Sequence, residues 1–355
     1  MATPDRSGLL HFVGSIPLED SEAVFRELST TVGAHTCRLP DGETAERSRW
    51  ILFQREILAN HPAIEVDPTV PEFELRQWDG KTIRSIPLLR FKSGTDLDSV
   101  SFDTSYDKAA LYSYEVFSRL RAEGIIAPQT RFQVSLPTPM ATAYFYVSHK
   151  ARTDYLRVYE RSLLAALDNI LAAIPADQLA IQFDVCQEVL VFEGYFENRP
   201  DDYKRQIFDM LGRLGDAVPD GVNLGYHLCY GTPAEEHLVM PTDAGILVEL
   251  LNGVTASVKR TVDYVHLPVP KHCTDDDYFL PFKHYTGSEA TRIYVGLIHH
   301  DDAEGDEARI TTASKYIRNM GVATECGWGR ANPDTVQSLL ASHRAAAEVL
   351  SELQS

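Results

Sequence analysis

Along the chain, short apolar runs alternate with longer segments in which apolar residues return every three or four positions. The short runs predict strands at His11–Ile16, Thr36–Pro40, Phe132–Leu136, Leu179–Asp184, Asn223–Cys229, Asp263–Leu267, Arg292–Ile298 and Gly321–Cys326. The periodic segments predict helices over about residues 20–33, 44–60, 105–124, 153–174, 201–216, 242–259, 305–320 and 333–352. In the fourth of these, Leu156, Tyr159, Leu163, Leu167, Ile170 and Ile174 form one apolar stripe, and the last opens with Asn332 as a cap before Pro333. Strands that are apolar throughout are covered on both faces, so the alternation predicts an α/β fold, a parallel (β/α)8 TIM barrel. One stretch breaks the rhythm: Phe73–Trp78 and Thr82–Phe91 flank Asp79-Gly80, which predicts an inserted β-hairpin near residues 72–93. Nothing reads as a linker, so residues 1–355 are expected to form a single domain.

Composition narrows the function. Hydrophobic residues make up 44% of the chain, enough for a large core. No apolar run reaches the length of a membrane span, and the opening MATPDRSGLLHFVGS turns polar too soon for a secretory signal. A cytoplasmic protein without a membrane partner is expected. A net charge of −18 argues against nucleic acid, whose phosphates require concentrated Lys and Arg. Five scattered cysteines, Cys37, Cys186, Cys229, Cys273 and Cys326, do not form a disulfide framework.

In a barrel of this type the chemistry sits at the C-terminal ends of the strands. Those ends carry Ser15, Asp41, Glu43, Asp184, Cys186, His227, Cys229, His266, the run His299 to Asp302, Glu325 and Cys326, whereas the strand bodies are aliphatic and aromatic. His227 and Cys229 lie two apart, so in a strand they share a face. Imidazole beside thiolate suits zinc, and Cys326 at the end of the last strand can supply a third donor. The competing reading is a buried cysteine next to a hydrogen-bonded histidine.

These residues resemble the C-terminal catalytic barrel of cobalamin-independent methionine synthase and its short single-barrel relatives, within the superfamily that also holds uroporphyrinogen decarboxylase. Val13-Gly14-Ser15-Ile16-Pro17 looks like the family's first-strand Gly-Ser-Phe-Pro turn, and Asp41-Gly42-Glu43 like its His-Gly-Glu. Leu136-Pro137-Thr138-Pro139 is similar to Leu-Thr-Gly-Pro, and Ile181-Gln182-Phe183-Asp184 to Ile-Gln-Ile-Asp. His227-Leu228-Cys229-Tyr230 resembles His-Met-Cys-Tyr, and Glu325-Cys326-Gly327 followed by Arg330 resembles Asp-Cys-Gly and its nearby arginine. The resemblance implies a zinc ion on His227, Cys229 and Cys326. It also implies an amino-acid thiol held by Gly14, Ser15, Glu43 and Asp184, and a catalytic histidine in the stretch His299, His300, Asp301.

Three departures stand out. Pro268 occupies the place of the family's fourth zinc ligand, leaving His266 or Cys186 to replace it. Phe145 stands where a tryptophan packs on folate, and the second, N-terminal barrel of the full-length enzymes has no counterpart. The implied function is alkyl transfer, of a methyl group foremost, to a thiol activated as a zinc thiolate. The partners are a small-molecule thiol such as homocysteine and an alkyl donor, a folate or a corrinoid protein among them. The alternatives are a zinc alkyltransferase of the epoxyalkane:coenzyme M type and a metal-free lyase like uroporphyrinogen decarboxylase. The latter needs several cationic groups for a porphyrin, and Arg38 and Arg330 are few at the strand ends.

Overall fold

The computed structural model describes residues 8–233 and 236–354. Its centre is a curled sheet of seven parallel strands in which neighbours in sequence are neighbours in space. The strands are β1 (Arg38–Pro40), β2 (Arg131–Pro137), β3 (Leu179–Val185), β4 (Asn223–Leu228), β5 (Tyr264–Pro268), β6 (Arg292–Ile298) and β7 (Met320–Thr324). All six pairings are parallel, with helices packed outside. Strands β3 and β5 are buried along their full length, as expected for a sheet covered on both faces.

The predicted first strand is the exception. Leu10 forms isolated parallel bridges to Thr36, just before β1, and to Val322 of β7, so one short segment lies between the two sheet edges. It is stitched there by Leu10 N–H to the His35 carbonyl at 2.9 Å and Val322 N–H to the Leu9 carbonyl at 2.8 Å. Beyond His11 no regular strand forms. The carbonyls of Phe12 and Val13 are taken by side chains from inside the sheet: Gln133 Nε2 donates to both at 3.0 Å, and Gln182 Nε2 donates to Val13 at 2.8 Å. Ordinary amide groups thus replace ladder partners.

Helix Arg152–Ala173 buries Tyr159, Leu163, Leu167 and Ile170 of the expected stripe together with Tyr155 and Val158, while Leu156 is half-buried and Ile174 follows the last turn. Asn332 caps as predicted, accepting from Asp334 N–H at 3.1 Å, although the first turn is a 3-10 segment before helix Val336–Leu353. Two helices had no sequence signal, Pro139–Tyr146 and Gln187–Phe192. Both are buried on every side and so lack the polar face that makes a period visible.

The inserted hairpin is present but shorter than expected. Phe73–Arg76 pairs antiparallel with Thr82–Ile86 around Gly80, whose φ is 84°. The second arm stops at Ile86 because Pro87 has no N–H to donate, and Leu89–Phe91 pairs with Ile64–Val66 instead. Phe73 stacks on Phe145 and Phe196, which anchors the hairpin across the loops that follow the strands. Among the described residues no helix is long and apolar enough to cross a membrane.

Candidate metal and substrate site

Strand β4 brings up His227 and, one residue past its end, Cys229; the chain leaving β7 brings Cys326 to the same point. Sγ of Cys229 lies 3.7 Å from Sγ of Cys326, which lies 3.7 Å from Nε2 of His227. Two thiolates about 2.3 Å from a tetrahedral ion are about 3.8 Å apart, and a thiolate and an imidazole nitrogen about 3.6 Å. Two of the three separations thus match the edges of a zinc tetrahedron, and all three donor atoms lie within 4.8 Å of one another. Among the described residues no other His, Cys, Asp or Glu joins this group. The Cys229 thiol beside it and burial push Cys326 up to about 12. Cys229 is itself raised by its hydrogen-bonded neighbour Cys186.

His266 resolves one open expectation. Its Nε2 lies 3.0 Å from the Thr324 carbonyl, which can only accept, so this nitrogen carries the hydrogen. Burial lowers its pKa to about 3, keeping the ring neutral, so its Nδ1 is an acceptor. That acceptor sits 2.6 Å from Nδ1 of His227. His227 must donate from Nδ1, which leaves the Nε2 lone pair facing Cys326. Both nitrogens of His266 are thereby engaged, so it supports His227 from outside the group of three converging donors. Such partners set tautomer and ring orientation. The reach from β5 to β7 crosses β6, and Gly296 opens the slot: a Cβ there would lie 2.8 Å from His266 Nε2 and 2.7 Å from the Thr324 oxygen. His266→Ala is expected to weaken metal binding about 10- to 100-fold. Competition against a chelator of known affinity measures this, and an unchanged constant would remove the tautomer lock.

Beside the donors lie two carboxyl groups, Asp184 buried and Glu43 half-buried. Asp184, near the end of β3, accepts from Gln182 Nε2 at 2.9 Å and from Trp50 Nε1 at 3.1 Å. Glu43 follows β1, and its carboxyl group lies against Gly14, where a Cβ would come within 3.1 Å of Oε1. Burial raises both groups well above the usual carboxyl range, and Asp184 adds to the shift of Glu43. The loop that carries Glu43 and Trp50 is left-handed at Gly42, Glu43, Ala45 and Trp50. Conformations of this kind cost energy and collect at functional sites. Asp41 holds the loop closed, accepting from Arg47 Nη2 at 2.5 Å, Ser113 Oγ at 2.8 Å and Glu43 N–H at 3.0 Å.

Gly14 and Ser15 dock on the turn after Cys326: Ser15 accepts from Trp328 N–H at 2.9 Å through its carbonyl and from Gly329 N–H at 3.2 Å through its hydroxyl. A Cβ at Gly327 would lie 2.4 Å from Ser15 Oγ, which accounts for the glycine. Gly14, Ser15, Glu43, Asp184, His227, Cys229 and Cys326 all line one cavity of about 920 Å3, walled at its far side by the hairpin.

His299, His300 and Asp301 do not line that cavity. His299 is nearly buried, with Nε2 donating to the Val269 carbonyl at 3.0 Å and Nδ1 3.6 Å from Glu325 Oε2. His300 and Asp301 lie at the surface, 3.2 Å apart, with His300 Nε2 also 2.9 Å from Ser338 Oγ. Sequence reasoning missed His237, whose Nε2 lies 2.7 Å from Glu325 Oε1. Burial opposes its protonation, but the Glu325 carboxylate outweighs it and raises the pKa. No sequence signal marks His237, because the loop that carries it has no period.

No protein-family model and no curated protein matches the chain. Solved structures do. A B12-independent methionine synthase from Shewanella sp. W3-18-1, in complex with selenomethionine, aligns over 94% of this chain and 88% of its own at a TM-score of 0.58 and 15% identity. A putative vitamin-B12 independent methionine synthase from Listeria monocytogenes aligns over 93% and 86%, with a TM-score of 0.54 and 14% identity. A methyltransferase from Methanosarcina mazei aligns over 95% and 94%, with a TM-score of 0.52 and 11% identity. The likeness read from short motifs and the likeness of the backbone point to the same proteins, and this chain carries the fold of the B12-independent methionine synthases.

Proposed function

We propose that this chain is a zinc-dependent alkyltransferase of the methionine synthase type, which passes a methyl group to the sulfur of an amino-acid thiol such as homocysteine. The observation that carries this reading is the meeting of His227, Cys229 and Cys326 within 4.8 Å of one another, beside the carboxyl groups of Glu43 and Asp184 in one cavity. We propose too that residues 1–355 form one domain, a (β/α)8 barrel whose eighth stave is the segment around Leu10, supported by its bridges to both sheet edges.

His227, Cys229 and Cys326 would hold the zinc, which would lower the pKa of a substrate thiol from about 8.5 and so make its sulfur a nucleophile at neutral pH. The protein's own groups do the rest. Glu43 and Asp184 hold the substrate ammonium, with Gln182 and the Trp50 indole fixing the angle of Asp184. Gly14 and Ser15 sit where a substrate carboxylate would complete the grip. Leu75, Ile83 and Phe145 exclude water from the far side of the cavity. None of the three candidates for proton donor lines the cavity; His299 is the most enclosed, with Glu325 facing it, whereas His300 and Asp301 pair with each other at the surface. The donor is a small molecule or a corrinoid protein; Phe145 in place of a folate-packing tryptophan argues against a folate. The metal-free lyase alternative leaves the convergent sulfur and nitrogen donors without a role.

Titration with homocysteine tests the reading. Protein purified without chelator is expected to hold about one zinc per chain. The cobalt-substituted form should gain sulfur-to-metal charge-transfer absorption on adding the thiol, with release of about one proton. Spectra unchanged across thiols would overturn it.

A further inference from the structure

The cavity has a second end. Away from the sulfur donors it is lined by Arg49, Arg55 and Arg84, with Trp50, Leu75, Ile83 and Phe145 as apolar wall. Arg84 comes from the second arm of the hairpin, Arg55 from helix Leu52–Asn60. Arg55 is aimed by a hydrogen bond from Nη2 to the Pro87 carbonyl at 3.1 Å. Arg84, Arg55 and the buried Tyr146 line the same cavity. Among the described residues, no carboxylate forms an ion pair with Arg49, Arg55 or Arg84. Elsewhere arginines find acidic partners readily, as at Arg26, Arg90, Arg119, Arg213 and Arg309.

In a chain of net charge −18, this end of the cavity gathers three guanidiniums, two of them exposed to an entering ligand. Like charges brought together repel, and an oxyanion between them would turn that repulsion into charge-assisted hydrogen bonds. The cavity is therefore polarised, with paired carboxyl groups beside the sulfur donors and paired guanidiniums at the hairpin.

We propose that the hairpin end is an oxyanion subsite, in which Arg55 and Arg84, assisted by Arg49, bind an acidic group on the apolar body of the second, alkyl-donating substrate. The assignment of that ligand as donor rests on the alkyltransferase reading; the oxyanion subsite itself does not. About 920 Å3 is far more than an amino-acid thiol fills, which leaves room for such a partner. The hairpin thus selects the second substrate by charge, while the strand ends select the first.

Simple aromatic probes test this on the full chain, without thiol or donor. Benzoate, benzenesulfonate and phenyl phosphate offer three oxyanions on one apolar body, and benzamide is the neutral counterpart. Titration followed by tryptophan fluorescence is expected to show at least one oxyanion binding about tenfold or more tighter than benzamide, and the tightest names the acidic group. Arg84→Gln and Arg55→Gln should each weaken that oxyanion about 10- to 100-fold and leave benzamide unchanged. Arg84 is exposed on the hairpin, so its variant should keep the fold, and Arg49→Gln provides a second exposed position. If benzamide binds as tightly as every oxyanion, or all three variants bind the oxyanions as the parent does, the subsite is overturned. Zinc content and homocysteine binding are measured separately, so loss of the alkyltransferase reading would leave this result standing, and the reverse.

Discussion

Cys229→Ser and Cys326→Ser are each expected to reduce bound zinc from about one per chain to near zero. The argument is one of donor chemistry and number. Among the described residues three donors converge, so removal of one leaves two, and a serine hydroxyl stays protonated at neutral pH and binds zinc far more weakly than a thiolate. Zinc binding at sites of this class is worth on the order of 10 kcal/mol, spread over few ligands, so the loss should reach several powers of ten in affinity. Three controls sharpen the test. Cys37→Ser and Cys273→Ser should hold zinc as the parent does, because neither thiol belongs to the converging group. Cys186→Ser should also retain it, since Cys186 neighbours Cys229 without joining the three donors. Elemental analysis reads all five variants, and full zinc in both central variants would eliminate the site.

Glu43→Gln or Asp184→Asn is expected to weaken homocysteine about 10- to 100-fold, at about 1.4 kcal/mol per tenfold, while a thiol without the amino group binds as before. Asp184 raises the pKa of Glu43, and a cation placed beside the two carboxyl groups relieves that repulsion. Zinc content should not change. Equal binding of both thiols to parent and variants would make the carboxyl groups structural and favour a simple thiol of the coenzyme M type. The same pair predicts a pH dependence in the ligand-free protein. Both folded-state pKa values lie above the ordinary carboxyl value of about 4, so the folded state binds more protons than the unfolded one. Their contribution to stability is full below about pH 4 and is lost as pH rises through the raised values. Buried Glu188, raised to about 7 by desolvation, adds a background of the same sign, so the informative quantity is a difference. The melting temperature of Glu43→Gln should fall less between pH 4 and neutrality than that of the parent.

Much of this was legible in the sequence. Seven strands lie within a few residues of the apolar runs that announced them, and the donors could be found because strand ends collect ligand-type residues while strand bodies do not. What stayed hidden depends on reach across the chain. His266 could be seen as a histidine beside the site, but its role follows from a contact two strands away through the gap at Gly296. Trp50 read as part of an amphipathic helix, yet it sits in a left-handed turn that aims its indole at Asp184. The first strand was expected because its residues are apolar; its carbonyls were instead satisfied by glutamines far away in sequence, and no local pattern encodes that. The basic end of the cavity needed the hairpin's position, which periodicity cannot give.

The short segment around Leu10 has a consequence for solubility. It covers the outer backbone groups before β1 and along β7 at once, so a chain lacking residues 8–11 would bare two strand edges. Bare edges are templates for pairing with other chains, and natural sheets guard them. Here the guard is a few residues that pack Leu9 and Leu10 into the core. Fraying of that one segment would expose both sides of the seam together, making it the place where self-association between copies should begin.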